Sequence, residues 1–164
     1  IGKAHPNVHL LVSGPVTLPD YGEQLRHLAT EAGLADRIHF SGPVEPESEA
    51  HAGLFDALDV FVLPSRHEPF GIVALEAWAA RKPLIASKVG GLRHFVKDNE
   101  NGLTIESGDE EGLAVAMEKL AYPSPPVPRP ARQEPFFTNR VLSSALAISV
   151  MCSTFSVWIM EECL

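Results

Sequence analysis

The stretch that decides the fold is DVFVLPSRHEPFGIVALEAWAA, residues 59–80. Residues 59–63 form a continuous apolar run after one aspartate, and Pro64 ends it, which predicts a buried strand. Residues 71–80 contain no helix breaker after Gly71 and predict a helix. The segment therefore predicts a strand, a polar loop and a helix in succession, which is the unit from which parallel sheets are built.

The same alternation of strand and helix extends in both directions along the chain. Because the apolar runs are continuous, each predicted strand is expected to be covered on both faces. The sequence therefore predicts an α/β fold, a Rossmann-like parallel sheet with helices on both faces. The other predicted strands are 8–13, 37–40, 83–87 and 103–105, and the other predicted helices are 20–32, 47–58, 91–97 and 109–121.

Composition narrows the function classes. The 164 residues allow one domain and little more, and the net charge of −8 argues against binding to nucleic acid. Cys152 and Cys163 are too few for a disulfide scaffold, and neither the cysteines nor the histidines have metal-ligand spacing, so no metal site is expected.

The cysteine count and the lack of an apolar segment at the start favour a cytoplasmic location, with the cytosolic face of a membrane as the alternative. Because the sequence starts with Ile1, we expect a fragment.

The composition changes after residue 121. Six of the 14 prolines lie between Pro123 and Pro135, so residues 122–140 are predicted to be a Pro-rich linker. Residues 141–164 are predicted to be an apolar, helical tail. Residues 141–160 carry no charge and are long enough to span a bilayer, but their serines favour a packed or disordered helix over a membrane span.

Two carboxylates flank the start of the predicted helix at 71–80. Parallel sheets bind ligands beyond the carboxyl ends of their strands, and Glu68 lies in such a loop while Glu76 lies in the helix. The amides of Phe70, Gly71 and Ile72 can donate to an anion there, favoured by the helix dipole. A nucleotide sugar would fit such a site. Its diphosphate would lie at the helix start, and its ribose and sugar hydroxyls would donate hydrogen bonds to the two carboxylates. The spacing of Glu68 and Glu76 alone would favour two solvated surface residues. Their position between a predicted strand and a predicted helix favours a ligand-binding site instead.

The segment resembles the Glu-x7-Glu motif of retaining glycosyltransferases with the GT-B fold, particularly glycosyltransferase family 4. The resemblance covers residues 1–121 and implies the C-terminal, donor-binding half of that fold. The further stretches that carry the resemblance, in chain order, are Val12–Pro15, Leu34–Val44, Asp59–Ser65, Ser87–Gly91 and Asn101–Leu103.

The resemblance also implies residue roles. Glu68 would contact the donor sugar as the catalytic residue, and Glu76 would bind the ribose hydroxyls. The backbone amides at 70–72 would bind the sugar or the diphosphate, and Val44 would lie against the base. The implied donor-binding residues are Phe70, Gly71, Ile72, Glu76 and Val44. The implied reaction retains the anomeric configuration, needs no metal or other cofactor, and uses a nucleoside-diphosphate sugar as donor substrate.

The chain departs from the family pattern at its start, at Arg81, and at His94, which lies close to a position where many members have an acidic residue. The resemblance implies that the given sequence starts after the first strand of the C-terminal domain, after the Arg and Lys that follow it and neutralise the diphosphate, and after the N-terminal GT-B domain. We therefore expect the isolated chain to be inactive or nearly so, and its uncovered cleft to permit self-association. Arg81 stands where the family usually has a helix-ending glycine, which we expect to cost about 1 kcal/mol.

The sequence leaves three hypotheses about function. The first is the donor-binding half of a glycosyltransferase that transfers a sugar to an acceptor. The second is a non-catalytic truncated or splice fragment that acts as an interaction module or has no function. The third is a GT-B enzyme of another chemistry; the Glu-x7-Glu spacing disfavours an epimerase, and no lysine context suggests a pyridoxal-dependent phosphorylase.

Overall fold

Six parallel strands and five helices make up the part of the chain that the computed structural model describes, residues 1–16, 19–46, 48–121 and 146–151. A single 3-10 turn, Ala35–Arg37, precedes the second strand. The strands are β1 Val8–Ser13, β2 Ile38–Gly42, β3 Val60–Leu63, β4 Leu84–Ser87, β5 Leu103–Ile105 and β6 Leu146–Met151. The helices are α1 Pro19–Glu31, α2 Glu49–Ala57, α3 Ile72–Ala79, α4 Leu92–Phe95 and α5 Glu110–Ala121.

The strands form one sheet in the order β2-β1-β6-β3-β4-β5, and every neighbouring pair is parallel. The five strands predicted from the sequence are all present, and the predicted α/β class with a parallel sheet is confirmed. Because all strands run the same way, the loops that follow them meet at one edge of the sheet.

Strand β3 shows why helices cover both faces. Its four residues are fully buried, and successive side chains point to opposite faces. Phe61 and Leu63 join a core cluster with helices α2, α3 and α4, whereas Val60 and Val62 join a second cluster with helix α5. A strand with two buried faces needs a continuous apolar run, which is the pattern that the sequence shows.

Helix α3 ends in a motif that usually takes glycine. The Arg81 N–H donates to the Trp78 carbonyl at 2.8 Å, and the Lys82 N–H donates to the Ala77 carbonyl at 2.8 Å, the two bonds of a Schellman motif. Arg81 has a left-handed φ of 58°, so the expectation that it occupies the cap position is confirmed. Helix α1 ends in the same way at Gly33, where φ is 69°.

The prediction of a helical tail is wrong for residues 146–151, which form strand β6. A short apolar run does not distinguish a strand from a buried helix by periodicity alone. Here the run pairs with β1 on one side and β3 on the other, so it satisfies the backbone groups of two strand edges that would otherwise lie unpaired inside the sheet.

The remaining predictions about the tail lie outside the described residues. These are the Pro-rich linker at 122–140 and the tail at 141–145 and 152–164, including most of the segment weighed as a membrane span. Within the described ranges, none of the helices has both the length and the apolar character needed to cross a bilayer.

Candidate functional site

The loop between β3 and α3 holds Glu68 in a fixed position. The Glu68 residue is only 7% exposed, and its Oε1 accepts a hydrogen bond from the Gly71 N–H at 3.0 Å. The acid is therefore anchored at the start of α3, where the positive end of the helix dipole favours a negative charge. Because Glu68 is buried, the alternative that it is a solvated loop residue is excluded.

Two glycines after β4 bring a second loop against this one. The Gly91 N–H donates to the Glu68 carbonyl oxygen at 3.1 Å. A Cβ on Gly90 would overlap that same carbonyl oxygen, and a Cβ on Gly91 would lie 2.6 Å from the Phe70 carbonyl oxygen. The two loops thus pack backbone against backbone, a closeness that only glycine permits.

The first turn of α3 has no capping side chain. Gly71 is the N-cap residue with a left-handed φ of 91°, and it makes no side-chain cap hydrogen bond. Phe70 and Ile72, on either side of it, are 57% and 63% exposed. Helix starts carry backbone N–H groups without intrahelical partners, so this turn can receive an anion next to the Glu68 carboxylate.

Glu76, one turn further along α3, contacts a histidine from α2. Its Oε2 lies 3.6 Å from His51 Nε2, an ion-pair distance when the imidazole is protonated. The His51 side chain is 13% exposed, and its ring packs edge-on against Phe55 with centroids 5.2 Å apart. The ring is therefore held in place, beside one oxygen of the partly exposed Glu76 carboxylate.

The sequence reasoning missed His51, although a signal was available. His51, Leu54, Phe55 and Leu58 follow the i, i+3, i+4, i+7 spacing of a buried helix face. Leu54, Phe55 and Leu58 are all buried in the first core cluster. The spacing therefore places His51 on the side of α2 that packs against the rest of the domain.

Val44 lies in the loop after β2 and is half-buried against the first core cluster. The structure thus brings Glu68, Phe70 and Gly71 together with the Gly90–Gly91 loop. Ile72 and Glu76 follow on the same helix, whereas Val44 belongs to a different loop on the same edge of the sheet. Its predicted contact with a nucleotide base stays a prediction.

The loop after β4 carries one cation, Lys88, whose charge is already engaged. Its Nζ donates to Glu106 Oε1 at 2.8 Å. That hydrogen bond, together with the negative charge of Glu106, raises the pKa of the exposed Lys88 ammonium above its ordinary value. Within the described part of the chain, no three His, Cys, Asp or Glu side chains are grouped so that they could hold a metal ion.

Comparison with known proteins decides the family. Residues 1–124 match the sequence profile of glycosyl transferases group 1. The chain belongs to this family. Among its relatives, the lipopolysaccharide core biosynthesis glycosyltransferase LpsE of Rhizobium meliloti is 37% identical over 115 residues, which are 70% of this chain and 32% of the relative. The D-inositol 3-phosphate glycosyltransferase of Acidothermus cellulolyticus is 39% identical over 101 residues, 62% of this chain and 22% of the relative.

Several solved structures share the fold of this chain. HepE of Anabaena in complex with UDP-glucose is 29% identical with a TM-score of 0.63, over 71% of this chain and 32% of that chain. Sucrose-phosphate synthase of Thermosynechococcus elongatus is 39% identical with a TM-score of 0.58, over 68% of this chain and 28% of that chain. The C-terminal domain of the family member LpcC from Francisella tularensis, at 24% identity, has a TM-score of 0.60 over 69% of this chain and 75% of that domain.

These matches confirm the resemblance to glycosyltransferases of the GT-B fold and the Rossmann-like architecture. The chain spans about a third or less of the length of the curated relatives named above.

Proposed function

We propose that this chain is the donor-binding half of a retaining glycosyltransferase that transfers a sugar from a nucleoside-diphosphate sugar to an acceptor. The observation that carries the proposal is the junction of β3 and α3, where the buried Glu68 carboxylate is fixed beside an uncapped helix start. HepE of Anabaena, whose structures include complexes with UDP and with UDP-glucose, supports uridine diphosphate as the first nucleotide to test.

The donor would use the groups that the junction leaves available. The diphosphate would lie at the first turn of α3, because the helix dipole and the N–H groups without intrahelical partners both favour an anion there. Of the amides at 70–72, that of Gly71 already donates to Glu68 Oε1, so it would have to be shared with the ligand. Glu76 would accept hydrogen bonds from the ribose hydroxyls, and His51 lies beside its Oε2. Val44 would lie against the base.

Glu68 is the proposed catalytic residue. A carboxylate near the anomeric carbon stabilises the positive charge that a departing diphosphate leaves on the sugar, and its effect is larger where water is excluded. Because Glu68 is buried and hydrogen-bonded, it needs little rearrangement to do so. Retention of configuration and independence from a metal or other cofactor are part of the proposal and rest on the family resemblance. A cytoplasmic location is also part of the proposal and rests on the low cysteine count.

A second candidate function is a non-catalytic interaction module. The observation that favours it is the exposed apolar surface on and beside α3, where Phe70, Ile72 and Leu75 are 57%, 63% and 41% exposed. In the donor-half proposal the same side chains would face a second, N-terminal domain, and without it they would favour self-association. Transfer activity by the purified chain would exclude the non-catalytic alternative.

Calorimetric titration of the full chain with UDP, GDP and ADP, carried to millimolar nucleotide, tests the proposal. We expect one nucleotide to bind, and Glu76→Gln to weaken it by roughly tenfold or more, because a hydrogen bond to a charged group contributes about 1.5–3 kcal/mol. Glu111→Gln is the matched control, since it makes the same change at an exposed position in the first turn of α5. Unchanged affinity in Glu76→Gln, or no binding of any nucleotide, contradicts the proposal.

A further inference from the structure

The five strands within the family match fall into two blocks that do not pair with one another. Strands β2 and β1 form one block, and strands β3, β4 and β5 form the other. Strand β6, residues 146–151, lies between them and beyond the family match at 1–124. It pairs with β1 along its full length, from Val8↔Leu146 to Ser13↔Met151, and with β3 from Val60↔Ile148 to Val62↔Val150.

The two blocks carry different parts of the candidate site. The β1–β2 block leads into the loop that holds Val44, whereas the other block holds the Glu68–Gly71 junction and the Gly90–Gly91 loop. Within the described residues, hydrogen-bonded sheet pairing connects the blocks through β6 alone. The blocks also share core packing, since Leu11 and Val44 pack against the first cluster.

We propose that residues 146–151 are a positioning segment: a strand from outside the family match that holds the two halves of the donor site in register. Core packing is adaptable, but a hydrogen-bonded ladder fixes two strands residue against residue. Without β6, the inner edges of β1 and β3 would carry unpaired N–H and C=O groups. The effect on nucleotide binding rests on the proposed function, whereas the placement of the strand does not.

Disulfide trapping tests the placement directly. In a Cys152→Ser, Cys163→Ser background, His9→Cys is combined with Ala147→Cys, its register partner. Neighbouring strands are about 4.8 Å apart, within the Cα separation of about 4.4–6.8 Å that a disulfide requires. The control pairs His9→Cys with Met151→Cys, which lies four residues further along the strand. We expect an intrachain disulfide only in the first pair, seen by non-reducing peptide mapping. Equal yields, or a link between two chains, would overturn the proposal.

Hydrogen exchange tests the positioning role. Ile148→Pro removes a backbone donor from a central strand, so we expect amides in β1 and β3 to exchange at least tenfold faster while those in β5 are unchanged. Ser143→Pro, outside the strand bounds, is the control and is expected to leave all three strands as in the wild type. Unchanged exchange of β1 and β3 in Ile148→Pro contradicts the positioning role.

Titration of the same variants with UDP separates this inference from the proposed function. We expect Ile148→Pro to bind UDP at least tenfold more weakly than the wild type, and Ser143→Pro to bind as the wild type does. Equal UDP affinity in Ile148→Pro and the wild type overturns the positioning role. If the wild type binds no nucleotide while trapping and exchange behave as expected, the proposed function fails and the placement of the strand is supported.

Discussion

Helices α3 and α5 both begin at the carboxyl edge of the sheet, but they begin in different ways. At the start of α5, Asp109 caps its own helix, because its Oδ1 accepts from the Gly112 N–H at 2.8 Å. At the start of α3, Gly71 is left-handed and uncapped, and Glu68 from the preceding loop accepts the Gly71 N–H instead. The start of α5 is therefore stabilised by a contact within its own first turn. The start of α3 instead depends on Glu68, which is supported by the distant Gly90–Gly91 loop, and no side chain caps its first turn. The start of α3 is the one that belongs to the proposed donor site.

The largest expected change in unfolding free energy comes from Gly90, whose backbone packs against the loop that precedes α3. In Gly90→Ala the new Cβ would overlap the Glu68 carbonyl oxygen at a residue with φ of 44°, so we expect a loss of about 3 kcal/mol or more in unfolding free energy. Gly108→Ala, just before α5, also has a left-handed φ, 79°, but its Cβ meets open space. Urea denaturation should show a loss of only about 1 kcal/mol there. Equal losses would contradict the role of backbone contact at Gly90.

A smaller effect is expected from the carboxylate itself. Glu68→Ala removes the buried acceptor of the Gly71 N–H and should lower the unfolding free energy by about 2 kcal/mol. Glu68→Gln keeps an oxygen acceptor at the same place, so its loss should be clearly smaller. Chemical denaturation of both variants separates hydrogen bonding from simple packing. A glutamine variant as unstable as the alanine variant would exclude this explanation.

At the start of α5 we expect a change in stability but no change in nucleotide affinity. Asp109→Ala removes the cap and should lower the unfolding free energy by about 1 kcal/mol, while Asp109→Asn should retain most of the stability. Nucleotide affinity should be the same in both variants and the wild type, measured by calorimetry. A change in affinity would show that the two helix starts are not independent.

The smallest effect is expected at the other end of α3. Arg81→Gly relieves a left-handed backbone at a side chain that disfavours it, so thermal denaturation should show stabilisation by about 0.5–1 kcal/mol. The reciprocal control, Gly33→Arg at the end of α1, should lower the stability by about 1 kcal/mol. Stabilisation by both substitutions, or by neither, would contradict the assigned strain.

The sequence predicted what depends on local pattern. The five predicted strands and the five helices predicted within residues 1–121 are all present, because buried strands need continuous apolar runs and because glycine, proline and capping residues mark the ends of elements. Asp109, for example, is the first residue of the predicted helix 109–121, and in the structure it caps helix α5. The family and the α/β class were predicted for the same reason, since the matched motifs follow the order of these elements.

What the sequence did not predict depends on contacts between distant residues. The burial of Glu68 follows from the approach of Gly91, and the contact of Glu76 with His51 follows from the packing of α3 against α2. The strand at 146–151 was predicted as a helix because its apolar run fits either structure. Only pairing with β1 and β3, both far away along the chain, decides the matter.

The position of β6 also has a consequence for how the domain folds. The neighbour of Val8 in the sheet is Leu146, so the central pairing closes almost the whole length of the chain. Such pairings form slowly, because the entropy of closing a long loop is lost before the contacts form. Strands β3, β4 and β5 lie close in sequence and can assemble during synthesis, whereas β1 and β3 must wait for residues 146–151 to leave the ribosome. During that interval two edges in the middle of the sheet are open to other strands, and a chaperone that shields them should raise the yield of native protein.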